Sequence, residues 1–131
     1  MGAHHVVKPF DLSDLSGEEL SGVCFVRDYV ELHFDGPILR CFSGPVVETP
    51  AGARVTFPEP GSRDVLCRLI GDQVQRAADE PDALVVDFGD AGSVTVPKRT
   101  TAVDPEIAHF VPSTPDGRPD VSHMSIWESI P

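Results

Sequence analysis

Three observations in the 131-residue chain predict an α+β, mainly β fold. Residues 15–34 align with residues 69–88 without a gap, at a constant offset of 54. Leu15 falls on Leu69, Gly17 on Gly71, Val30 on Leu84, Leu32 on Val86 and Phe34 on Phe88. Within each copy, apolar side chains recur at every second position, the period of a half-buried strand. A short apolar stripe closed by glycine precedes each alternation, as in a helix ended by a left-handed residue. The expected architecture is two β-meander repeats, each preceded by a short helix, forming one sheet or an open barrel-like pair. The expected layout is one domain over 1–131, with repeat 1 at about 11–42 and repeat 2 at about 62–97. A Pro/Gly-rich insert, 43–61, separates the repeats, and a C-terminal tail, 98–131, follows them.

The elements follow in order. Asp11–Leu15, before Gly17, is a short helical echo of the segment Arg63–Ile70, for which Ser62 is the expected cap. In that segment Val65, Leu66, Leu69 and Ile70 make one apolar face, and Gly71 is placed to end it. The first strand runs over about Leu20–Val26 in copy one and Val74–Ala78 in copy two, with polar turns at Arg27-Asp28 and Asp79–Asp82. Val30, Leu32 and Phe34 set the second strand against Glu31, His33 and Asp35; Leu84, Val86 and Phe88 repeat it. A third strand follows a Gly turn, at about Ile38–Phe42 and Ser93–Val96. The insert predicts one strand at Arg54–Phe57. Asp104-Pro105 reads as an N-cap and first-turn proline opening a turn of helix to about His109. Pro112–Pro119 is loop, and Val121–Ile130, with the only Trp, is a last strand or an arm.

Ten Lys and Arg against 21 Asp and Glu give a net charge of −11, divided as −5 over residues 1–61 and −6 over 62–131. So acidic a surface argues against nucleic acid and anionic membranes. No apolar run approaches a membrane span and no leader pattern opens the chain, so a cytoplasmic location is expected. The one local concentration is Asp79, Glu80, Asp82, Asp87 and Asp90, with no base between them. It lacks the alternating spacing of a calcium loop and reads as a solvated hairpin tip that blunts edge pairing.

Cys24, Cys41 and Cys67 are an odd number among apolar neighbours, which reads as small buried thiols in a reducing compartment; a Cys24–Cys41 bridge across a hairpin is the minor alternative. The five histidines have no metal-ligand spacing, and neither a nucleophile elbow nor a phosphate-binding glycine loop is present, so no metal, cofactor or catalytic residue is expected. His4-His5 reads as a solvated pair. His33 lies on the polar side of its strand beside Glu31 and Asp35, facing solvent or lining a groove with a later histidine.

The strings VCFVRDYVELHFDGPILRCF, RDVLCRLIG and DPEIAHF resemble a family of small, chiefly actinobacterial proteins of unassigned function, over roughly residues 15–110. The family's last Gly is Asp104 here, and the tail from Pro112 has no counterpart in it. The meander pattern is more loosely similar to immunity-type proteins encoded beside bacterial toxins. Neither resemblance implies a catalytic residue.

Three functions compete. The first is a non-enzymatic, immunity- or inhibitor-like module that steers to a basic protein partner by charge. Its contacts would come from the acidic turn (Asp79, Glu80, Asp82) and from Trp127. The second is an enzyme or small-ligand binder with a pocket at the seam between the repeats, lined by Glu31, His33, Arg40 and His109. The third is a self-associating protein, a homodimer formed through the tail residues Met124, Ile126, Trp127 and Ile130; the plainer role of these residues is to finish their own core.

Overall fold

The computed structural model describes residues 11–100 and 106–131. Two five-stranded antiparallel sheets hold nearly all of its regular structure. The first meander is β1 (Gly22–Val26), β2 (Tyr29–His33) and β3 (Ile38–Cys41), led by a 3-10 turn at Leu12–Leu15. A hairpin follows, β4 (Val46–Glu48) and β5 (Arg54–Thr56). Then come the helix α1 (Ser62–Cys67) and the second meander, β6 (Arg76–Asp79), β7 (Ala83–Asp87) and β8 (Ser93–Pro97). Strands β9 (Glu106–Val111) and β10 (Ser125–Glu128) complete the chain.

The strand orders are β1-β2-β3-β9-β10 and β5-β4-β8-β7-β6. Each meander is therefore extended by the hairpin of the other half. The leading segments cross over as well, the first turn packing on β6 and α1 on β1. The crossing is reciprocal at the level of single hydrogen bonds. Gly17 N donates to Val74 O at 2.8 Å, and Gly71 N to Leu20 O at 2.8 Å. Leu20 N donates to Asp72 O at 3.0 Å, and Val74 N to Glu18 O at 2.8 Å. Between them Glu19 bridges to Gln73, its own counterpart at the offset of 54. The repeat read from sequence is thus a pseudo-two-fold, with an axis passing between Glu19 and Gln73.

Mainly β structure with two helix-led meanders matches the expectation, and the meanders belong to two sheets rather than one. The space between the sheets is filled. Val30, Leu32, Phe34, Leu39 and Cys41 from one side meet Leu84, Val86, Val94 and Val96 from the other, with Ala108 and Phe110 from β9. Each large side chain so enclosed contributes on the order of 1.5–3 kcal/mol. Close packing also limits the connections. At Gly92 (φ +122°) a Cβ would lie 2.4 Å from Glu48 O, so only glycine lets this turn reach β4.

Several local expectations are corrected. The insert supplies two strands, not one, and β4 is an inner strand. Residues 106–109 are not a helical turn: they are β9, buried on both faces between β3 and β10, where pairing overrides the capping signal. Asp104 and Pro105 themselves lie outside the described residues, as do His4 and His5. Ser62 is not the cap of α1. Gly61 (φ +86°) holds that position, and the buried Ser62 hydroxyl has no partner. The helix also ends early, because its last turn tightens through Leu69 N to Leu66 O (3.1 Å) and Ile70 N to Cys67 O (3.1 Å). That tightening rotates Ile70 out of the apolar face and leaves it 43% exposed. Gly71 does take the left-handed conformation, at φ +95°. All three cysteines are free; only Cys41 is buried, while Cys24 and Cys67 are exposed. Among the described residues no helix is long and apolar enough to cross a membrane.

Candidate functional site

Strand alternation sends Leu32 and Leu39 inward and Glu31, His33 and Arg40 outward, and the pairing of β3 with β9 puts His109 directly opposite Arg40. Cys24, Glu31, Arg40, His109 and Ile126 consequently form one row across the outer face of the first sheet. Glu31 holds the row together. It accepts from Arg40 Nε at 3.1 Å and pairs with His33 Nε2 at 3.1 Å, with its own side chain only 15% exposed. The Arg40 guanidinium also lies 3.9 Å from Met124 Sδ. His109 is held through Nε2 by Glu106 (2.7 Å) and meets the Phe42 ring edge-on at 4.6 Å, leaving Nδ1 buried without a partner. Tyr29 also packs on Phe42, with ring centroids 4.9 Å apart. Glu31, His33, Arg40 and His109 are thus brought together on an outer face, and the seam where they were expected is occupied by the core.

The duplication supplies an internal comparison. On the second sheet the matching row is Ala78, Val85, Thr95, Val46 and Thr56. The same backbone is satisfied there by small neutral side chains, so the fold does not require the Glu–Arg–His row. That row is specific to one face of the molecule.

The acidic turn is the exposed tip of the β6–β7 hairpin, as read, and bases from neighbouring segments meet it there. Arg76 pairs with Glu80 at 2.6 Å, Arg99 with Asp82, and Lys98 with Asp79. Asp79 Oδ2 also accepts from the Trp127 indole at 3.0 Å, which ties β10 to β6. Partial burial works to raise the pKa of Asp79, and the Asp11 charge adds to this. The hydrogen bonds from Lys98 and Trp127, with the Lys98 charge, outweigh both and hold the carboxyl below its ordinary value. Trp127 packs against the core, whereas Ile126 stays 48% exposed. Asp79 and Trp127 line a cleft of about 360 Å³ with Asp11, Leu12, Ser125 and Ile126.

Sequence reasoning did not anticipate the bases that meet the acidic turn, the aromatic pair Tyr29 and Phe42, or Asp11 at the cleft. The cations come from β6 and from the chain after β8, 4 to 19 positions away, so counting charges along one segment does not reveal them. Tyr29 and Phe42 had a signal, since both fall on the outward side of strands otherwise read correctly. Among the described residues no group of three or more His, Cys, Asp or Glu converges as metal ligands. Comparison of the chain with family models, with curated proteins and with solved structures found no match.

Proposed function

We propose that the chain is a non-enzymatic protein-binding module of the immunity or inhibitor kind, engaging a basic protein through the outer face of the first sheet. The observation that carries this reading is the Glu31–Arg40–His109 row, which the equivalent face of the other sheet lacks. Arg, Met and aromatic side chains, the residue types enriched at interface centres, surround that row as Arg40, Met124, Tyr29 and Phe42. The row lies on a half-buried strand face, which suits another protein better than the enclosing pocket a small ligand requires. A net charge of −11 favours rapid encounter with a basic partner.

The test uses the protein encoded by the neighbouring gene, titrated calorimetrically. Binding is expected to weaken as salt rises. Arg40→Ala with His109→Ala should reduce affinity by about tenfold or more, the scale of an interface hot spot. Thr95→Ala with Val46→Ala, at the matching positions of the other sheet, should leave binding unchanged. Equal losses from the two pairs of substitutions, or no complex at all, would sink the reading.

A further inference from the structure

The exchanged topology leaves the two halves of the chain joined at one covalent link. The first half carries the leading 3-10 turn and β1 to β5, and the second carries α1 and β6 to β10. Both ladders that complete the sheets run between the halves, β3 with β9 and β4 with β8. The first turn packs on β6 and α1 packs on β1, β4 and β5, again from one half to the other. The reciprocal hydrogen bonds around Glu19 and Gln73 do the same. None of these contacts depends on the two halves belonging to one molecule. The link alone decides that.

The link is short and exposed between two fixed ends. Phe57 is buried and its N–H donates to Pro45 O at 2.9 Å, and Ser62 is fully buried. Pro58, Glu59, Pro60 and Gly61 between them are all exposed. Hydrogen bonds from Glu59 N to Thr56 O (2.7 Å) and from Ser62 N to Glu59 O (3.0 Å) fold the link back on itself. That reversal holds Gly61, the N-cap of α1, at φ +86°. An N-cap residue ordinarily lies in the extended region, and a straightened link would let Gly61 return there. Pro60 favours the straightened form, because it biases the residue before it toward extended backbone. We propose that the chain exchanges halves with a second copy of itself. The part before Pro58 of each copy completes its sheets with the part after Gly61 of the other, giving a closed two-fold dimer. Such a dimer repeats the contacts of the monomer and differs from it at the two links. It uses neither the tail nor the outer face of the first sheet as a contact, so it stands apart from the binding-module reading.

Closure within one chain has the advantage of an effective concentration on the order of 1 mM for a short linker, so exchange competes when the protein itself approaches about 1 mM. Passage between the two forms requires the halves to separate, which is unfolding, so each form persists once made. The intact protein, unfolded in urea, is refolded at about 10 μM and at about 1 mM, then diluted and sedimented. Monomer is expected from the dilute sample, and monomer with a persistent dimer of unchanged circular dichroism from the concentrated one. Gly61→Ser isolates the link. A Cβ at Gly61 meets nothing within 4 Å, so the substitution acts through φ, and serine remains a good N-cap once the link is straight. Left-handed backbone should disfavour each closed link by about tenfold, and two links shift the equilibrium toward dimer by about a hundredfold. Gly61→Ser should therefore give much dimer even at about 10 μM. Gly52→Ser is the matched control, at φ +85° with equally open space, in the β4–β5 turn inside one half. It should refold to monomer like the unaltered chain. Monomer alone from the unaltered chain at about 1 mM, or as much dimer from Gly52→Ser as from Gly61→Ser, would overturn the proposal. A dimer that forms on concentrating native monomer and dissolves at once on dilution would also overturn it, as association through an outer surface.

Discussion

Cys41 shows how much one position depends on where its strand is placed. Its neighbours resemble those of Cys24 in sequence, yet Cys41 faces the space between the sheets and Cys24 faces outward. Burial drives the Cys41 thiol up from 9.0 to about 12, because a thiolate there would lose its hydration without gaining a partner. With alkylating reagent at neutral pH, two thiols should react in the native protein and the third only on unfolding, as thiol counting with and without urea would show. The sign of the pH effect follows from the same shift. The native state keeps the Cys41 proton after the unfolded chain has lost it, so this contribution to stability is complete below pH 9 and is lost as pH rises from 9 toward 12. Cys41→Ala should lessen the alkaline loss seen in urea melts across that range.

β10 is the element whose place was least legible. Its apolar residues suited a last strand or an arm, with a dimer contact as the less plain role, since period alone does not say which sheet edge a terminal strand joins. Pairing with β9 and the Trp127–Asp79 bond decide it. Because Asp79 has a lowered pKa, it stabilises the fold above the ordinary aspartate pKa of about 3.9, and this is lost as pH falls through the native value. Asp79→Asn removes the charge but keeps an acceptor for the indole. The variant should lose on the order of 1 kcal/mol or less at pH 7, as expected for a half-exposed pair, and its acid denaturation should start from that lower stability with a shallower slope. A loss at pH 7 with an unchanged acid slope would show that the ion pair does not couple to folding. The same logic explains α1. Its apolar face was visible in the sequence, but the tightened last turn that exposes Ile70 comes from backbone bonds no pattern records.

At the scale of the molecule, each sheet needs both halves of the chain. Cut between Pro60 and Gly61, each fragment would hold a three-stranded meander and the hairpin belonging to the other sheet, with its apolar face bare. Fragments 1–60 and 61–131 should each lack a cooperative thermal transition and recover it as a 1:1 complex on mixing. The affinity should be micromolar or tighter, as expected of an interface on the order of 2,000 Å² or more. Circular dichroism and sedimentation would check both statements, and a cooperative melt from either fragment alone would contradict the exchanged topology.

The amino-acid order alone determined the duplication, the two helix-led meanders and the inward alternation of Val30, Leu32, Leu84 and Val86, because these are local periodicities and a constant offset. It also placed Glu31 and His33 on the polar side of their strand. Only the tertiary structure decided that the hairpins trade sheets, that His109 meets Arg40, and that the acidic turn is met by Arg76, Lys98 and Arg99. Those pairings join residues far apart in the chain, and the closing of two sheets over one shared core selects them. No single segment carries a pattern for that.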